Sequence, residues 1–94
     1  MENKKISYLR KRLNKIDDDI LKLLSKRFKI VRQIGEIKIK ENLPLRDKKR
    51  EKEIIKRLSD KAKTLSLPKR MISQIYQIIF ENAQKEYRKI KKER

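Results

Sequence analysis

The stretch from Ile6 to Lys38 constrains this chain most, because its apolar residues recur at alternating steps of three and four. Every seventh residue from Ile6 gives Ile6, Leu13, Ile20, Arg27 and Ile34, and the complementary series gives Leu9, Ile16, Leu23, Ile30 and Ile37. That spacing draws one apolar seam along a single long helix. Arg27 alone breaks the seam. A guanidinium there is costly to desolvate unless something anionic meets it. The seam therefore asks for a covering partner, and its one cation asks for an anion.

The rest of the composition agrees with a helical chain. Charged residues make up 46% and the hydrophobic class 36%, with two Pro and one Gly. With helical periodicity this is the profile of a bundle or coiled coil, and it predicts an all-α fold. The 94 residues make one small domain, 1–94, of a size that often gains stability by oligomerising. There is no Cys and no His. Thiol chemistry, disulfides, the usual zinc sites and imidazole acid–base catalysis are thereby excluded. The opening MENKKISYLRKR lacks an apolar signal core, and no apolar run approaches transmembrane length, so a soluble, cytoplasmic protein without membrane contact is expected.

A net charge of +17 raises the question of a polyanionic partner. The plainer reading is a Lys-rich composition on solvated helix faces. Basic residues are spread over every segment, and the few aromatics sit at core-like positions instead of offering a stacking platform. Nucleic acid is not the expected partner. A small anionic substrate needs only a few of these charges.

The first helix is expected over about 5–40. Leu24, Val31 and Lys38 form a second row beside the seam, which Arg10 and Asp17 continue backwards. Lys38 lies eleven residues beyond Arg27, which at 100° per residue returns to within about 20° of the same direction. Both cations then face one groove, with backbones ~16 Å apart. Asn42 and Pro44 stop this helix. Asp47 is placed to cap a second helix over about 48–63, whose inward row is Glu51, Ile54, Ile55, Leu58 and Ala62, with Arg50 at its rim. In the link TLSLP, Ser66 is a candidate cap and Pro68 suits a first helical turn. The third helix, about 68–90, points Ile72, Ile75, Tyr76, Ile79, Ala83 and Tyr87 inward, broadened by Phe80. The helices would measure ~50, ~24 and ~30 Å. Two shorter helices cannot cover the long one evenly, but a second, antiparallel copy can. An intertwined homodimer of six helices with two equivalent sites is predicted.

The polar exceptions to the apolar rows are Arg27, Lys38, Arg10, Arg50 and Glu51. They are mostly cations with too few inward acids to neutralise them, which suits a small dianion. In LRKRLNKIDDDILKLLSKR, IGEIK, PLRDKKRE and YQIIFEN the chain resembles the all-helical class of chorismate mutases along nearly its whole length. The resemblance implies the intertwined dimer and the rearrangement of chorismate to prephenate, on the route to phenylalanine and tyrosine. That pericyclic step needs no cofactor, metal, nucleophile or proton transfer.

Carried over residue by residue, the resemblance implies that Arg27 grips a substrate carboxylate and that Arg10 grips one in the partner's site. It implies that Lys38 donates to the ether oxygen, where negative charge grows. Glu51 would accept from the ring hydroxyl, helped by backbone near Asp47. Arg50 would supply positive field, and Ile34, Ile54 and Phe80 would form apolar walls. The third helix departs from the family pattern. The second ether-oxygen donor and the small polar residue one turn before it fall on Tyr87 and Ala83, while Gln84 stands where an apolar wall is usual. Either Gln84 or the Tyr87 hydroxyl is the candidate donor. Each exception also has a structural reading. Arg27 can specify register, Lys38 can complement a helix C-terminus, Arg10 can be a solvated charge, Glu51 can pair with a nearby cation, and Asp47 can serve as a cap alone. The competing functions are an isochorismate pyruvate lyase on the same fold and a basic helical module binding nucleic acid or a partner coiled coil.

Overall fold

The computed structural model describes residues 3–94. They form three α-helices, α1 (Lys4–Lys40), α2 (Lys48–Thr64) and α3 (Lys69–Glu93), and no strand occurs among the described residues. The chain divides into two compact units, residues 1–31 and residues 32–94, and each is taken by itself.

The first unit is helical from Lys4 onward. Its start is set locally, where the Asn3 Oδ1 accepts from the backbone N–H groups of Lys5 (2.8 Å) and Ile6 (3.3 Å). Those are orphan donors at the first helical turn. No Gly or Pro occurs from there to Val31, so propensity favours uninterrupted helix. The seam residues Ile6, Leu9, Leu13, Ile16, Ile20 and Leu23 are all exposed within the single chain. Arg27 is half-buried.

The second unit holds the end of α1, the link 41–47, α2 and α3. Asn42 ends α1 in the left-handed region (φ 55°), while Leu43 N–H donates to the Lys38 carbonyl (2.8 Å) and Asn42 N–H to that of Ile39 (3.3 Å). This double bond pattern around one left-handed residue closes a helix and satisfies its last carbonyls. The same device ends α2. Ser66 is left-handed (φ 57°), Leu67 N–H reaches the Ala62 carbonyl (2.9 Å) and Ser66 N–H that of Lys63 (3.3 Å). Ser66 therefore stops α2 instead of starting α3. The α3 N-cap is Pro68, with no side-chain capping bond. At the start of α2, Asp47 is the cap, its Oδ1 accepting from Arg50 N–H at 3.0 Å.

α2 packs on α3. The buried residues here are Ala62 from α2 and Phe80, Gln84, Tyr87 and Ile90 from α3. The spacing of the α3 set, three or four residues at each step, is one helix face. Tyr76 meets Phe80 edge-on at 5.9 Å, the geometry the ring quadrupoles favour. The end of α1 meets α3 at Gly35. A Cβ built on Gly35 would lie 2.5 Å from the Tyr87 ring and 3.4 Å from Ile90, so the absence of a side chain lets the ring lie against the helix backbone. Ion pairs Arg32–Glu86 and Glu36–Arg94 flank this contact.

Candidate active site

The site is assembled where the end of α1, the link 41–47 and α3 come together. Lys38 stands in the last turn of α1, half-buried. Its Nζ donates to the Leu45 carbonyl at 3.3 Å and lies 5.5 Å from the centre of the Tyr87 ring, a cation–π arrangement. Gln84, on the buried face of α3, is 8% exposed. Its Nε2 donates to the same Leu45 carbonyl at 3.1 Å. Two donors from different helices thus converge on one oxygen. An ammonium has three N–H bonds and a side-chain amide two. Anchoring each to the carbonyl through one bond leaves both groups further protons for a ligand oxygen.

Glu51 sits in the first turn of α2, half-buried. Arg46 holds its carboxylate, Nη2 donating to Oε1 at 3.0 Å, while Nε stands 3.0 Å from Oε2 as an ion-pair contact without a hydrogen bond of its own. The same guanidinium reaches Glu81 on α3 at 3.0 Å. Glu81 and then Glu51 hold the Arg46 guanidinium above its ordinary pKa, because hydrogen bonds to carboxylates favour the charged form. Arg46 and Glu51 also line an open cleft of about 320 Å³ with Phe80, Ile55 and Gln77. Lys38 and Leu45 line a neighbouring one of about 210 Å³ with Asn42 and Lys91.

Of the residues expected at the site, the structure brings Lys38, Gln84 and Tyr87 together, with Ala83 half-buried beside Gln84. Phe80 is buried and Ile54 half-buried on the facing helices, whereas Ile34 is 43% exposed. Asp47 is occupied as the α2 cap. Arg50 is exposed, with Glu53 at 3.9 Å. Arg10, exposed, and Arg27 lie in the first unit. Two contributors escape the sequence reading. The Leu45 carbonyl is backbone and has no residue signature. Arg46 sits beside the cap Asp47 and five residues before Glu51, a spacing that signals nothing without the fold. Among the described residues no group of three His, Cys, Asp or Glu could hold a metal ion. Among the described residues no helix is long and apolar enough to cross a membrane.

A helical protein with a paired-donor site beside an ion-paired carboxylate is the class these features define. The sequence model of the chorismate mutase type II family matches residues 9–87. The chain is 33% identical over 86 residues to the chorismate mutase of Methanocaldococcus jannaschii, covering 88% of this chain and 87% of that protein. It is 40% identical over 74 residues to the bifunctional chorismate mutase/prephenate dehydratase of Buchnera aphidicola subsp. Schizaphis graminum, covering 79% of this chain and 19% of the relative. The corresponding bifunctional protein of Aquifex aeolicus is 48% identical over 50 residues, covering 53% of this chain and 14% of that one. The chain belongs to the chorismate mutase type II family, and spans about a fifth or less of the length of these bifunctional relatives.

Proposed function

We propose that the protein is a chorismate mutase, converting chorismate to prephenate. The observation that carries the reading is the convergence of Lys38 Nζ and Gln84 Nε2 on a single oxygen. In the rearrangement a C–O bond of the enolpyruvyl ether breaks as a C–C bond forms, and negative charge grows on the ether oxygen. Two fixed donors aimed at that atom stabilise the transition state more than the ground state. Holding the side chain over the ring removes the rotational freedom that otherwise opposes the step. No group on the protein needs to exchange a proton or form a bond.

In this reading Lys38 and Gln84 serve the ether oxygen, and Glu51 accepts from the ring hydroxyl beside the start of α2, where Asp47 and Arg50 stand. Arg27 binds a substrate carboxylate, and Arg10 binds one in the site of a second chain. Ile34, Ile54, Phe80, Ala83 and Tyr87 shape the walls. The exposed seam of α1 supports a homodimer, because an apolar row of that length is stable only when covered. The metabolic setting of such a reaction supports a cytoplasmic location.

Loss of chorismate absorbance with appearance of prephenate, in metal-free buffer with chelator, is the expected outcome for the purified chain. A folded chain that leaves chorismate intact would sink the reading. Release of pyruvate from isochorismate instead would replace it with a lyase reading.

A further inference from the structure

We propose that Arg46 is a positioning residue that aims both the Lys38–Gln84 donor pair and the Glu51 carboxylate. The proposal rests on the mutase reading for its kinetic consequence, but not for its structural one.

Leu45 and Arg46 are consecutive, and each holds a different set of groups at the site. The Leu45 carbonyl receives Lys38 from α1 and Gln84 from α3. The Arg46 side chain grips Glu51 on α2 and Glu81 on α3. One peptide unit therefore joins three helices, and the side chain of Arg46 fixes where the carbonyl before it stands. The link itself offers little else to hold it. Residues 41–44 are exposed, and its named anchors outside this network are the α1 stop and the Asp47 cap. Donor groups reach transition-state geometry only when the shell behind them is fixed to a fraction of an ångström. Here that shell is a backbone oxygen on a short link, and Arg46 adds side-chain ties from that link to both α2 and α3 beside the Asp47 cap and the Gln84 bond. Lys at this position keeps the charge and loses the planar guanidinium that spans Glu51 and Glu81.

The experiment compares Arg46→Gln, Arg46→Lys, Glu51→Gln and the Arg46→Gln/Glu51→Gln double variant, with kcat and KM for chorismate measured separately. Each variant is also followed by NMR of the Gln84 side-chain amide, assigned by its loss in Gln84→Leu. Arg46→Gln is expected to lower kcat/KM about 10-fold, and Arg46→Lys to recover little of it. Glu51→Gln should leave Arg46 less to position, so the double variant should lose at least about threefold less than the product of the singles. The Gln84 amide resonances should move, and exchange faster with water, in Arg46→Gln. A loss accompanied by either the coupling or the shift supports the proposal. Unchanged kinetics in Arg46→Gln overturn it, as does a loss that multiplies independently and leaves the Gln84 resonances in place. Should Arg46→Gln not fold, Glu81→Gln removes one leg of the grip from an exposed residue. It should shift the same resonances and cost about two- to threefold in kcat/KM, and no change in either overturns the proposal. Inactivity of the unaltered chain toward chorismate removes the mutase reading alone, since the Gln84 resonances still report whether Arg46 holds the carbonyl.

Discussion

Lys38, Gln84 and Tyr87 lie within one another's reach, and their chemistry assigns them different work. In the proposed rearrangement Lys38 would bring a full charge to the oxygen on which charge develops, so Lys38→Ala is expected to lower kcat about 10²-fold, as loss of an oxyanion-type donor does. Gln84 is neutral and buried, and it donates to the same Leu45 carbonyl as Lys38. Gln84→Leu should cost on the order of 10-fold or more in kcat, with a smaller change in KM. Tyr87 lays its ring against Gly35 and under the Lys38 ammonium. A Phe keeps both the volume and the quadrupole face. Tyr87→Phe should therefore stay within about threefold of the unaltered chain if Gln84 is the second donor. Steady-state kinetics on the three variants decide it, and the reverse order for Gln84 and Tyr87 would hand the donor role to the tyrosine hydroxyl.

At the scale of elements, the contact between the end of α1 and α3 depends on one missing side chain. An added methyl at Gly35 would meet the Tyr87 ring at 2.5 Å and 2.7 Å. That ring is buried and cannot swing aside without opening the core around Ile90. Gly35→Ala gains helix propensity of about 1 kcal/mol, but overpacking costs about 1–3 kcal/mol. The expected net effect is a lower melting temperature and a weaker Lys38–Tyr87 contact, read by thermal denaturation; a higher melting temperature would show that the ring relocates freely. The same elements show what a sequence discloses. The heptad row, the stop at Asn42 and the cap at Asp47 are local signals, each readable because its cause lies within a few residues. Reading Ser66 as a cap fails because a serine that ends a helix in the left-handed region has the same composition as one that begins a helix. Lys38 is singled out by its phase together with the family resemblance, and Gln84 by the resemblance alone, but their meeting on Leu45 depends on the return path of the chain. The grip of Arg46 on Glu51 and Glu81 is likewise tertiary, and a backbone carbonyl leaves no mark in the sequence at all.

For the whole molecule, the exposed seam of the first unit, with Arg27 in it and Arg10 beside it, bears on assembly. Leu13 is 56% and Leu23 64% exposed in the single chain, a strip that favours association with a second copy. If Arg10 serves the partner's site and Arg27 its own, each homodimer of Arg10→Ala or of Arg27→Ala carries the same damage in both sites. A mixed dimer behaves differently. One of its sites receives both altered residues and the other receives neither. Random exchange between equal amounts of the two variants makes half the dimers mixed, so intact sites should return to about a quarter of the unaltered total. Chorismate turnover measured before and after exchange reads this directly, with unfolding and refolding of the mixture as the means of exchange. The number is specific to a shared site. If Arg10 and Arg27 both act within their own chain, every site in the mixture stays singly damaged and exchange restores nothing. If Arg10 is only a solvated charge, Arg10→Ala is fully active before mixing, and exchange leaves the mixture's total unchanged.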